Sequence, residues 1–226
     1  MTGVLERLRG GLVASCQPVD DGPMDKPDIV AAMALAAVAG GAAGLRIEGI
    51  PNLRATRPLV NVPIIGIVKS DSRETPVQIT ATKQDAIALI KAGADIVAYD
   101  ATNRPRHDSR DAVLATILSH GAIAMADCST LDDARHALTG DAKILGTTLS
   151  GYTAATAKAE HTPDIDLVRE FSTLGAFTMA EGRYDTPLLA NQALSAGADC
   201  VTVGSALTRL EVMTKLFVDG LHGARQ

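Results

Sequence analysis

Tryptophan is absent from this 226-residue chain, and phenylalanine and tyrosine contribute only three residues each. So few rings argue against the stacking platforms that bind single-stranded nucleic acid. There is no run of lysine or arginine, and the formal net charge is −5, so a basic nucleic-acid-binding stripe is missing too. The three cysteines, Cys16, Cys128 and Cys200, are odd in number and widely spaced. That is neither a disulfide framework nor a zinc pattern, and reduced thiols are the simplest reading. No apolar run reaches the ~18–20 residues a membrane span needs; the alanine-rich stretch 29–44 comes nearest, and glycines end it. No apolar segment ahead of a cleavage site is evident near the N-terminus, so a cytoplasmic protein with no membrane partner is expected. The sequence has no Walker A run and no G-x-G-x-x-G after a strand, so no nucleotide cofactor is expected. None of His107, His120, His136, His161 and His222 falls at a predicted strand end beside a carboxylate, so no metal is expected either.

What the chain does have is a regular series of short apolar runs, at 11–16, 43–47, 63–69, 94–100, 122–127, 142–148, 176–181 and 200–204. Each is almost continuously apolar, as in parallel strands buried on both faces. Helical segments are predicted between them, at 27–39, 83–92, 109–120, 131–138, 163–174, 187–196 and 206–217. The segment 50–59 is the weakest helix, and a short leader helix is predicted over 4–9. Strand–helix alternation implies a parallel sheet with right-handed crossovers. Eight units close an α/β (β/α)8 TIM barrel, here one catalytic domain over 1–226, near the ~250 residues usual for that fold. An open doubly wound sheet also alternates but usually has fewer strands.

Barrel enzymes work at the C-terminal ends of their strands. In this chain those ends carry Gln17, then Arg46 and Glu48, then Lys69, Asp100 with Thr102 and Arg104, and Asp127. The last three carry Thr148 with Tyr152, Glu181 with Gly182 and Arg183, and Gly204 with Ser205. Two glycines on the last two strands suit a phosphate cup, because backbone N–H groups can approach an anion there and a helix start follows. Arg183 would add a charge-assisted bond. The plainer alternative is a strand-to-helix turn with a serine cap.

Lys69 ends the run Ile64-Ile65-Gly66-Ile67-Val68, where burial or nearby Arg46 would lower its pKa and make it a base. Otherwise its amine reaches solvent along an apolar stem. Glu181 is the carboxylate best placed to partner Lys69; the alternative is a salt bridge to Arg46 or Arg183. Asp127 and Asp100 are further candidates, to orient Lys69 or to bind sugar hydroxyls; the alternative for either is a purely structural role.

These residues carry a resemblance over nearly the whole chain. The stretches are Ser15-Cys16-Gln17, Gly44 to Ile50, Pro63 to Lys69, Gly93 to Ala98, Asp100-Ala101-Thr102 with Arg104, Met125 to Thr130, Gly146 to Thr153, Ala180 to Tyr184 and Val203 to Arg209. In them the chain resembles the N-acylglucosamine-6-phosphate 2-epimerase family, bacterial enzymes also called N-acetylmannosamine-6-phosphate 2-epimerases. It departs from the pattern at Tyr99, Leu210 and Pro51, none of them a proposed catalytic residue. The resemblance implies a phosphorylated amino sugar as substrate, C2 epimerisation in sialic acid breakdown, and Lys69 with Glu181 as the catalytic pair. Gln17, Arg46, Asp127, Thr148 and Tyr152 are then expected at the sugar, and Gly182, Arg183, Gly204 and Ser205 at the phosphate. A homodimer is expected because barrel enzymes often pair. Two other readings stay open: a Schiff-base aldolase using Lys69, and a sugar-phosphate sensor on a barrel scaffold.

Overall fold

The computed structural model describes residues 2–70, 75–157 and 162–223. Eight parallel strands form a closed barrel in sequence order, β1 (Leu12–Cys16), β2 (Gly44–Glu48), β3 (Ile64–Ile67), β4 (Ile96–Asp100), β5 (Ile123–Asp127), β6 (Ile144–Gly146), β7 (Phe177–Glu181) and β8 (Cys200–Val203). Helix α1 (Thr2–Leu8) precedes β1, and α2 (Pro27–Ala39) and α3 (Ile50–Thr56) follow β1 and β2. Then come α4 (Lys83–Ala92), α5 (Arg110–Ser119), α6 (Leu131–Thr139), α7 (Ile165–Ser172) and α8 (Pro187–Ser195), with α9 (Ser205–Thr208) and α10 (Leu210–Gly223) after β8. The expected (β/α)8 barrel is therefore the observed one.

The continuous apolar runs sort by parity once the barrel closes. Val13, Ile65, Ile96, Ile123, Met125, Ile144, Phe177, Met179 and Cys200 fill the interior, and Leu8 of α1 closes its floor. The alternate residues, among them Ala14, Leu45, Ile64, Val97, Ala124 and Leu145, face the surrounding helices. Both strand faces are thus dry, which is why simple polar–apolar alternation is absent from the sequence.

Five of the helices that follow rim loops, α4 to α8, start on side-chain caps. Thr82 and Thr130 form capping boxes with Asp85 and Asp133, and Ser109, Asp164 and Thr186 accept from Ala112, Leu167 and Leu189 N–H groups. These caps set where each loop ends and so how much chain is left to build the rim.

Two differences from expectation bear on the site and its surroundings. The third strand stops at Ile67, and Lys69 lies beyond it in a short antiparallel ribbon: Lys69 bridges Ile79, Ser70 N–H donates to Gln78 O (2.8 Å) and Thr80 N–H to Val68 O (2.7 Å). The last predicted helix is two helices, broken at Arg209, whose φ and ψ of −102° and 79° are not helical. Beyond the break, Glu211 in the first turn of α10 packs against Gly22 in the loop after β1. Leu210, Val212, Leu216, Phe217, Val218 and Leu221 are all exposed, Phe217 by 71%, and none of the described α10 side chains joins an apolar cluster of the barrel. No helix among the described residues is long and apolar enough to cross a membrane.

Candidate active site

The inward-facing positions at the top of β2, β5 and β7 place three charges inside the barrel mouth. Arg46 is 1% exposed, and its Nη2 reaches Asp127 Oδ2 at 2.6 Å while Nη1 donates to Oδ1 at 3.4 Å. Its Nε lies 3.2 Å from Glu181 Oε1, close enough for ion pairing but not aligned for a hydrogen bond. Thr148 Oγ1 donates to Asp127 Oδ1 at 2.6 Å, so Asp127 is satisfied on both oxygens.

Glu181 is served less well. Its backbone is pinned, with Glu181 N–H donating to Thr147 Oγ1 (3.0 Å) and Thr147 Oγ1 donating to Glu181 O (2.9 Å). Its Oε2 is buried with no hydrogen-bond partner. Burial pushes this carboxyl up to about 7; Arg46 opposes the rise and Asp127 adds to it. One guanidinium between two carboxylates has given its fork to Asp127, which leaves Glu181 able to hold or release a proton near neutrality.

Lys69 is half-buried, its backbone N–H donating to Glu48 Oε1 at 3.3 Å. Burial lowers its pKa, and Arg209 and Arg46 lower it further, against Asp20 and Glu48. Lys69 also lies near enough to Glu181 to favour its ionised form. A base with a depressed pKa and an acid with a raised one therefore meet at one mouth, which suits a proton abstracted from carbon and returned to it.

Arg209 is the residue that reading along the chain did not single out. Its Nε donates to Gln17 O (3.1 Å), and Thr208 Oγ1 donates to Ser15 O (2.7 Å), so the junction between α9 and α10 is tied to the end of β1 beside Lys69. The only local signal was a positive charge directly after a predicted helix start, which many surfaces share. Gln17 is half-buried, with Nε2 donating to Ser15 Oγ at 2.6 Å.

The expected phosphate residues lie on the same rim. Gly204 caps α9 and Ser205 is exposed; Gly182 and Arg183 have φ of 110° and 62°. Arg183 plays a part the sequence did not suggest. Its Nε and Nη2 donate to Thr162 O and Ser150 O, both at 2.7 Å, and its guanidinium lies 4.8 Å over the ring of Tyr152. It fastens the loop after β6 across the rim, with Tyr152 58% exposed above it. Asp100 is taken up in a similar way: Arg104 and Arg106 both pair with it, and Thr102 Oγ1 donates to it at 2.5 Å, bracing the loop after β4. Among the described residues no group of three or more His, Cys, Asp or Glu side chains is placed to hold a metal ion; His161 lies outside them.

Residues 30–223 match the NanE family profile, described as "Putative N-acetylmannosamine-6-phosphate epimerase". Proteins of Haemophilus influenzae and Pasteurella multocida, each described as "Putative N-acetylmannosamine-6-phosphate 2-epimerase", are 54% identical over 222 residues, 98% of this chain and 96% of each relative. The solved structure of the N-acetylmannosamine-6-phosphate 2-epimerase from Clostridium perfringens superposes with a TM-score of 0.91 at 34% identity, covering 95% of both chains. A closed barrel, an acid and a base at its mouth, and likeness over nearly the full length agree, and the chain belongs to the NanE family of N-acetylmannosamine-6-phosphate epimerases.

Proposed function

We propose that this chain interconverts N-acetylmannosamine 6-phosphate and N-acetylglucosamine 6-phosphate by removing and returning the proton at C2, a step of sialic acid and amino sugar breakdown. The observation that carries this reading is the juxtaposition of Lys69, lowered by burial, with Glu181, raised by burial, around Arg46.

The C2 hydrogen of a closed hexosamine ring is scarcely acidic. Ring opening moves a proton from the C1 hydroxyl to the ring oxygen and leaves an aldehyde at C1, which makes the C2 hydrogen α to a carbonyl. Neutral Lys69 takes that proton, and the electron pair moves into the C1–C2 bond as charge gathers on the C1 oxygen. Glu181 moves protons at the ring and C1 oxygens, and Arg46, held rigid by Asp127, stabilises the developing charge. A proton returned to the opposite face of C2 inverts it. Nothing is oxidised or reduced overall, so the balance calls for no redox cofactor. Gln17, Thr148 and Tyr152 would bind the sugar, and the backbone at Gly182, Gly204 and Ser205 the phosphate, with Arg183 fastening the neighbouring loop after β6. That remote anchor keeps the open chain aligned. A phosphorylated sugar does not cross membranes, so the cytoplasm is the proposed site of action.

Proton NMR with N-acetylmannosamine 6-phosphate in deuterated water tests this. The glucosamine epimer should appear with deuterium at C2. Lys69→Ala should abolish C2 exchange while phosphosugar binding persists; retained exchange would remove Lys69 from the base role.

The homodimer also belongs to this reading. An apolar face as wide as that of α10 covers itself best against a second copy of the chain, where each large side chain removed from water contributes about 1.5–3 kcal/mol.

A further inference from the structure

Inside the barrel, one polar side chain has no part in the site as described. Thr202 of β8 points inward, is 2% exposed, and its Oγ1 has no hydrogen-bond partner. Its register partner on the neighbouring strand is Glu181. Residues paired across parallel strands face the same way, about 4.8 Å apart. Glu181 Oε2, likewise buried, is without a partner as well. A hydroxyl and a carboxyl oxygen, both unsatisfied and both in the dry interior, thus belong to register partners on adjacent strands, not bonded to each other in the resting arrangement. Leaving either group unpaired there is unfavourable.

The other polar neighbours of Glu181 are shared with Asp127. Thr148 has one hydroxyl proton and donates it to Asp127, although its hydroxyl also lies close enough to Glu181 to favour the ionised form, and the fork of Arg46 is also on Asp127. The charged and titratable groups facing Glu181 are Arg46 from β2, Lys69 beyond β3, Asp127 from β5 and Cys200 from β8. Arg46 and Lys69 favour the ionised carboxylate, and Asp127 favours the neutral acid.

We propose that Thr202 is a positioning residue for Glu181, its hydroxyl donating to the carboxylate and accepting from the carboxylic acid. A hydroxyl is both donor and acceptor, so it rotates to suit either form. Glu181 then keeps a hydrogen bond, and one orientation, through the gain and loss of its proton. The inference rests on the reading of Glu181 as a proton-transfer group.

The test is the pH dependence of kcat for C2 epimerisation in the wild type, Thr202→Val, Thr202→Ser and Glu181→Gln. Valine is nearly the shape of threonine and lacks the hydroxyl, and Thr202→Ala serves as a second hydroxyl-free variant should valine disturb folding. A hydrogen bond to the charged form is the stronger one. Its loss should therefore move the limb near pH 7 upward by about 0.5–1 unit. It should also lower kcat several-fold, with KM unchanged, and serine should restore both. The substrate phosphate titrates near 6, and that limb stays in every variant. Glu181→Gln identifies the other one. If the limb near 7 vanishes in Glu181→Gln but stays in place in Thr202→Val and Thr202→Ala, the role of Thr202 is overturned while that of Glu181 stands. If it persists in the residual turnover of Glu181→Gln, the reading of Glu181 fails and this inference with it.

Discussion

Arg46 is a buried cation whose two anionic neighbours it satisfies unequally, and that inequality has a measurable consequence at the residue scale. Glu181 is raised from its ordinary 4.5 to about 7, so the folded protein holds its proton more tightly than the unfolded chain does. The associated stability is fully present below pH about 4.5 and is lost as the pH rises through about 7. By the free energy of one pKa unit, the loss is on the order of 3 kcal/mol. Glu181→Gln keeps the shape and removes the titration. Urea unfolding at pH 5, 6, 7 and 8 should show the wild type losing stability relative to this variant as the pH rises. Parallel curves would mean that Glu181 titrates as it does in water. Lys69 has the opposite sign: a lowered lysine loses its proton earlier in the folded state, so its share of stability grows with pH in the alkaline range.

At the scale of the element, β6 shows how a strand makes room for the site beside it. Gly146 points inward at its end, where a Cβ would lie 2.6 Å from Met125 Cε, 2.9 Å from Thr148 Oγ1 and 3.1 Å from Asp127 Oδ1. Glycine there lets Thr148 and Asp127 meet. Gly146→Ala should destabilise the fold by about 1–3 kcal/mol and cut kcat/KM by about ten- to a hundred-fold, as Asp127 and with it Arg46 are displaced. Thermal unfolding and steady-state kinetics measure the two effects. Full activity in this variant would show that the Asp127–Thr148 contact is not needed. The ribbon joining Lys69 to Ile79 is another such device. It takes the lysine off the strand and holds it by backbone hydrogen bonds, so its amine sits beside Arg209 and Arg46 instead of in the barrel wall.

For the whole molecule, α10 is the part that the barrel does not satisfy. Its exposed Leu210, Leu216, Phe217 and Leu221 predict a homodimer in solution at micromolar concentration. Phe217→Asp should shift sedimentation toward the monomer and weaken activity only to the extent that Arg209, at the root of α10, is disturbed. A wild-type monomer at that concentration would contradict the assignment of this face to a second copy.

Much of the architecture was legible because it is encoded locally. A two-sided apolar run is a buried parallel strand wherever it stands, and a polar residue ending such a run must lie at the rim. That reasoning found Arg46, Lys69, Asp127 and Glu181, which the barrel does bring together. It missed what depends on closure and reach. Whether Arg46 gives its fork to Asp127 or to Glu181, 81 positions away in the first case, is decided by cross-barrel distances that no local pattern carries. The use of Arg183 on the Ser150 and Thr162 carbonyls, and of Arg209 beside Lys69, is likewise set by where loops from different strands meet. The break between α9 and α10 turned on the backbone of one residue, Arg209, held by a carbonyl at the far end of the chain. The sequence by itself determined the strands, the helix starts and which side chains would stand at the rim, since these follow from near-neighbour chemistry. Only the tertiary structure decided how the charges pair and which carboxyl is left with an oxygen unsatisfied, because competition for partners exists only once the barrel has closed.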